Sequence, residues 1–137
     1  MKIDKAYILP FPPDRVYAAW VSPDDPIPPA TRIEINLTVG GHIRQFIETE
    51  DRCNRAEGLF FCVEPDRHIR YTWERDRDGE ITDVDVEFGT SDDGTALRIR
   101  QAGFRSEVSR RQRADEWDAY VERLTAVLEK STELETA

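Results

Sequence analysis

Cysteine is scarce in this chain, and so are histidine and methionine: two, two and one among 137 residues. Cys53 and Cys62 are too few for a disulfide framework, and neither stands at a standard metal-motif spacing from His42 or His68. Both thiols are expected to be reduced and structural, in a protein of the cytoplasm. No apolar run approaches the length needed to cross a bilayer. The opening "MKIDKAYILPFPPD" has no apolar stretch leading to a small-residue cleavage site, so no signal peptide is expected. Positive charge is in deficit, with 19 Lys and Arg against 28 Asp and Glu and a formal net charge of −9. Nucleic-acid binding rests on clustered cations that neutralise phosphates, so that partner class is excluded. Sixteen of the cations are Arg, scattered among acids as on a solvated, ion-paired surface.

Internal repeats, low-complexity linkers and composition shifts are absent as well, which leaves one domain large enough to bury a core. Its ordered part is expected over about residues 3 to 130, with a tail at 131 to 137. The pattern "KIDKAYIL" (2 to 9) reads as a strand. "PPDRVYAAWV" (12 to 21) reads as a short helix, with prolines where the first turn tolerates them and Val16, Tyr17 and Trp20 on one face. Four prolines in "SPDDPIPPATRIEIN" rule out a second long helix directly afterwards.

A meander of strands follows. In "RIEINLTV" (32 to 39) Ile33, Ile35, Leu37 and Val39 share one face and polar residues the other. Gly40 and Gly41 then turn the chain into "HIRQFIET" (42 to 49). "AEGLFFCVE" (56 to 64) is apolar on both faces and should lie centrally, and "HIRYTWE" (68 to 74) aligns Ile69, Tyr71 and Trp73. "ITDVDVEF" (81 to 88) and "TALRIRQAGF" (95 to 104) form a hairpin through Asp93 and Gly94. Its register sets Asp83, Asp85 and Glu87 opposite or diagonal to Arg98 and Arg100, so the acidic stripe reads as a neutralised, solvated sheet face. From Glu107 to Lys130, Val108, Trp117, Tyr120, Val121, Leu124, Val127 and Leu128 recur at three- and four-residue steps, the stripe of a long helix packed on a sheet.

The order strand, helix, antiparallel strands, long helix predicts an α+β layering. The segments "FPPDRVYAAWVSPDD", "GG", "AEGLFFCVEPDRHIRYTWE", "VDVEFGTSDDGTALRIRQAGF" and "EWDAYVERLTAVLE" together resemble the activator of heat-shock-protein-90 ATPase (Aha1-like) branch of the START, or SRPBCC, superfamily. The resemblance spans roughly residues 3 to 130. It implies a helix-grip (START/Bet v 1-like) fold, in which a curved antiparallel sheet of six to seven strands wraps the C-terminal helix around an elongated cavity. By position, Val16, Tyr17 and Trp20 match the first helix, Gly40 and Gly41 the hairpin, Gly58, Pro65, Tyr71 and Trp73 the central strands, and Trp117 and Leu124 the last helix. Two departures stand out: "SPDDPIPPAT" replaces the family's second helix, and Glu116 precedes Trp117 where the family commonly has Gly.

Aromatic residues are the candidate pocket walls. Tyr17, Trp20, Phe46, Phe61, Tyr71, Trp73, Phe88, Trp117 and Tyr120, with Leu124, form a set that suits a mostly apolar pocket with a few orienting polar tips. His42 and His68 are weighed as general bases, but neither has a carboxylate or nucleophile at a dyad spacing and both adjoin turns. No catalytic residue, metal or cofactor is therefore assigned. The expected function is binding of a hydrophobic or aromatic small molecule. An aromatase/cyclase- or hydrolase-like enzyme in the same cavity ranks second, and a co-chaperone acting on a heat-shock ATPase third. The sequence leaves homodimerisation open and offers no membrane partner.

Overall fold

A computed structural model describes residues 1–136, side chains included through residue 132. Strand β1 (Lys2–Leu9) precedes helix α1 (Pro13–Val21); β2 (Arg32–Ile35), β3 (His42–Glu48), β4 (Cys53–Glu64), β5 (His68–Arg75), β6 (Thr82–Ser91) and β7 (Gly94–Ala102) follow, and α2 (Glu107–Thr136) ends the chain. The strands form one antiparallel sheet ordered β1-β7-β6-β5-β4-β3-β2. It is a meander whose first strand returns to pair with its last, Lys2 opposite Ala102 and Leu9 opposite Thr95. This is the curved sheet, long C-terminal helix and short N-terminal helix that the resemblance implies.

Local chemistry accounts for the element ends. Pro13 opens α1 where a missing N–H costs nothing, and Asp14 adds a favourable charge in its first turn. Ser106 caps α2: its Oγ accepts the Ser109 N–H at 3.1 Å. The ends of β2 and α2 differ most from the pattern reading. Strand β2 stops at Ile35 instead of Val39, because the chain turns on itself there: Thr38 N–H donates to the Asn36 carbonyl at 2.9 Å and Gly41 N–H to the Thr38 carbonyl at 2.8 Å. Gly40 N–H donates to the Phe60 carbonyl at 2.9 Å, and Phe60 N–H donates to the Gly41 carbonyl at 3.0 Å. The chain reverses through 36–41 with Gly40 at φ 86°, and Val39 is left 68% exposed. Helix α2 runs past Lys130 to Thr136, and Ala137 lies outside the described residues.

Two features bend β4 so that the sheet curls. A Cβ on Gly58 would stand 1.7 Å from the Thr72 carbonyl oxygen, so only glycine lets the β4 and β5 backbones approach there. Beyond it the register slips between Phe60 and Cys62. The inward face carries Ile69, Tyr71, Val84, Val86, Phe88, Leu97 and Ile99, all buried, against Val16 and Trp20 of α1 and Val121, Leu124 and Leu128 of α2.

Helix α2 is anchored toward the β1 edge. Lys5 Nζ and Tyr7 Oη both donate to the Asp118 carboxylate, at 2.8 and 2.6 Å. Those two bonds, Lys5 first, hold the Asp118 pKa below its ordinary value. The β2 edge curls away from the helix, and the wedge between them is the cavity. The hairpin register is the expected one, with Asp85 opposite Arg100 and Glu87 opposite Arg98.

Candidate functional site

The wedge between α2 and β2–β5 encloses a cavity of about 410 Å³. All three tryptophans of the chain, Trp20, Trp73 and Trp117, line it together with Tyr71 and Tyr120. Their rings meet in two groups along the wall. Trp20 stacks on Trp117 with ring centres 5.8 Å apart and meets Tyr120 edge-on at 4.8 Å, and Tyr71 meets Trp73 edge-on at 5.6 Å. Strand parity supplies the opposite wall: Ile33 of β2 and Ile43, Gln45 and Ile47 of β3 point into the same space.

The wall is pinned from behind by a buried polar relay. Trp117 Nε1 donates to Gln101 Oε1 at 2.8 Å, Gln101 Nε2 donates to Thr82 Oγ1 at 2.8 Å, and Thr82 Oγ1 donates to the Trp73 carbonyl at 3.2 Å. Gln101 is 2% exposed, so both ends of its amide are spent on this chain. The relay joins the two tryptophans across β7 and β6. Burial drives the Tyr71 phenol well above its ordinary pKa, and burial followed by the proximity of Tyr71 does the same for Tyr120. Both phenols stay protonated across the physiological range.

Of the ten residues expected to touch a ligand, Trp20, Tyr71, Trp73, Trp117 and Tyr120 line the cavity and the other five do not. Phe46 points to the opposite face of β3, where the Arg32 guanidinium covers its ring at 3.8 Å. Parity explains it, since Ile43, Gln45 and Ile47 take the inward positions. Phe61 is 51% exposed because Phe60 takes the inward position and the register slip follows. Tyr17 and Phe88 meet edge-on at 5.3 Å within the packed core, and Leu124 is fully buried there. Gln45 and Gln101 lie on the wall outside that set: adjacent apolar Phe46 and Ile47 leave the parity of the Gln45 strand ambiguous in the sequence. Gln101 carried a signal, since it extends the inward series Leu97, Ile99.

The proline-rich segment closes part of the wall with Ile27, Pro29 and Ala30, of which Ile27 is 2% exposed. It does as a run of bends and a turn, closed by Ala30 N–H on the Ile27 carbonyl at 3.0 Å, what a second helix would do. Arg123 Nη1 of α2 donates to the Pro28 carbonyl at 3.4 Å and holds segment to helix. At the mouth Glu116 accepts from Arg75 of β5 and from Arg113, each at 3.1 Å. Glu116 therefore ties α2 to the sheet instead of wedging them apart.

The wall is mixed, mostly apolar with a few polar groups among the rings and aliphatic side chains. Among the described residues, no hydrogen bond is made by the side-chain amide of Gln45 or the hydroxyl of Tyr120, so the wall's polar groups include these two. No helix among the described residues is long and apolar enough to cross a membrane.

Comparison with known proteins gives the same architecture. The family model described as "Activator of Hsp90 ATPase homolog 1-like protein" matches residues 10–129. No curated protein sequence matches the chain. Among solved structures, a protein from Chromobacterium violaceum superposes with a TM-score of 0.80 at 22% identity, covering 93% of this chain and 96% of that one. The solution structure of the AHSA1-like protein from Aeromonas hydrophila gives 0.78 at 20% identity, with 96% and 94% covered. DynU16, a protein of the dynemicin biosynthetic locus, gives 0.81 at 20% identity over 95% of this chain and 48% of its own.

Proposed function

Since the chain belongs to the Activator of Hsp90 ATPase homolog 1-like family, we propose that it binds a largely apolar, planar small molecule in the cavity between sheet and α2. The observation that carries this reading is the aromatic wall: three tryptophans and two tyrosines on a cavity of about 410 Å³. That volume falls within the range of about 300–1,000 Å³ typical of ligand pockets. Flat rings offer large contact area at low entropic cost, and edge-to-face neighbours favour another ring between them. Gln45 and Tyr120 orient the ligand, so the best fit is a fused or substituted aromatic with one or two oxygens, and no charge is required. The cytoplasm is the compartment we assign it.

Because every tryptophan lines the cavity, intrinsic fluorescence reads occupancy directly. Titration with naphthols, flavonoids and fatty acids should quench or shift the emission saturably for the aromatics. The same ligands should raise the melting temperature, since a ligand at a hundredfold excess over its Kd adds about 2.7 kcal/mol to the native state. Trp73→Ala, shown folded by circular dichroism, should lose the thermal shift. A shift that survives in Trp73→Ala, or no saturable response to any aromatic, refutes the proposal.

A further inference from the structure

On the sheet face turned away from both helices, the hairpin of β4 and β5 gathers a second group of chemically active side chains. Glu64 pairs across the strands with His68, Cys62 with Arg70, and Asp85 of β6 with Arg70, so all of them point the same way. His68 sits at the centre. Its Nε2 lies 2.8 Å from Asp85 Oδ1 and its Nδ1 lies 3.6 Å from Cys62 Sγ. Arg70 approaches the other carboxylate oxygen, Asp85 Oδ2, at 3.7 Å, which leaves Oδ1 to the imidazole.

These distances fix the chemistry of the ring. A carboxylate accepts and does not donate, so Nε2 carries a proton, and in the neutral ring Nδ1 presents its lone pair to the thiol. We propose that Cys62 Sγ, His68 Nδ1 and the Glu64 carboxylate form a binding site for a thiophilic divalent cation of the zinc type, with Asp85 as the positioning residue behind the histidine.

Zinc binds thiolate sulfur at about 2.3 Å and imidazole nitrogen at about 2.0–2.1 Å, which at a tetrahedral angle separates the two ligand atoms by about 3.5 Å. The observed separation is 3.6 Å, so neither strand needs to move. An oxygen of Glu64 lies within 4.8 Å of both atoms, on an exposed side chain that closes the remaining gap by rotation. Three protein ligands and an open position for water complete the coordination. The hydrogen bond from Nε2 to Asp85 is the carboxylate–histidine–metal arrangement that fixes the tautomer and raises ligand basicity. Metal binding releases the thiol proton to solvent, so charge and atoms balance without another reactant.

The order Cys–His–Asp also invites comparison with a nucleophilic triad. The cavity lies on the opposite face of the sheet, however, and neither Cys62 nor His68 lines it, so a nucleophile here would have no pocket beside it to hold a substrate.

The test uses the full chain stripped with chelator and titrated with cobalt(II), then with zinc in competition with a chromophoric chelator. One equivalent of cobalt should bind with a thiolate-to-metal band in the near ultraviolet and tetrahedral d–d bands in the visible, and zinc should displace it. Cys62→Ser should abolish the thiolate band and His68→Ala should weaken zinc binding at least tenfold. Asp85→Asn should retain the band with affinity lowered about 10- to 100-fold, and Cys53→Ser should change nothing. His68→Ala, an exposed-face change, decides the matter if Cys62→Ser fails to fold. A thiolate band that follows Cys53, no band at all, or zinc affinity unchanged in His68→Ala overturns the proposal.

Discussion

Replacing Gln101 with Met tests whether the buried relay holds the cavity wall. Methionine keeps the length and most of the volume of the side chain but removes the acceptor for Trp117 Nε1 and the donor to Thr82 Oγ1, both at 2.8 Å. Each intramolecular hydrogen bond is worth about 1 kcal/mol net, so losing both costs about 2 kcal/mol. Neither stranded group adds its full burial penalty. Thr82 Oγ1 keeps its own bond to the Trp73 carbonyl, and the indole of Trp117 borders a cavity that water can enter. At about 4 °C per kcal/mol for a domain of this size, the melting temperature should fall by about 8 °C. Urea unfolding followed by circular dichroism measures the free energy directly. A double-mutant cycle with Trp117→Phe isolates the bond itself and should return a coupling of about 1 kcal/mol. A Gln101→Met protein within about 0.5 kcal/mol of the parent, or a cycle that is additive, refutes the assignment of the relay as a structural element of the wall.

Two further expectations concern groups away from the relay. The Tyr17 hydroxyl is buried without a hydrogen-bond partner among the described residues, so Tyr17→Phe should leave stability unchanged or raise it by up to about 1 kcal/mol; a loss of more than that in urea unfolding contradicts the packing described. Asp118 has a folded pKa below its ordinary value of 3.8, so its stabilisation is present above that pH and is lost as the pH falls through the lowered value. With its side chain 56% exposed, Asp118→Asn should cost only about 0.5 kcal/mol at pH 7, a deficit that vanishes in strong acid. Unfolding curves at neutral and acid pH check the sign, and a gap that widens in acid would count against it.

Period-two alternation made the central strands and the β6–β7 register legible in the sequence, because those strands have one dry face and one wet face. It misled at Leu37 and Val39, where the same alternation continues into a turn whose end, at Gly40 and Gly41, pairs with Phe60. Alternation says which side chains agree with each other. It says nothing about which carbonyl a distant strand will take. The aromatic inventory located the cavity wall at Trp20, Tyr71, Trp73, Trp117 and Tyr120, yet Phe46 and Phe61 were indistinguishable from them without the parity of β3 and the slip in β4. Cys62 and His68 looked unrelated because their spacing matches no standard ligand motif. A turn at Asp66, with φ at 65°, folds them onto one face of a hairpin.

The pairing of β1 with β7 sets the order in which the molecule can be assembled. Strand β1 reaches across to Ala102, so its backbone hydrogen bonds wait until some hundred further residues have been made. Closing so long a loop is entropically costly before any contact rewards it, which favours the local hairpins β3 through β7 as the early structure. Until β1 docks, the β7 edge is an open template for pairing with another chain. Lys5 and Tyr7 then carry the anchor for α2 in with them, so the same docking event seals the sheet and seats the helix that roofs the cavity. A nascent chain stalled before β7 lacks the cavity; once α2 is present, edge, roof and cavity form together.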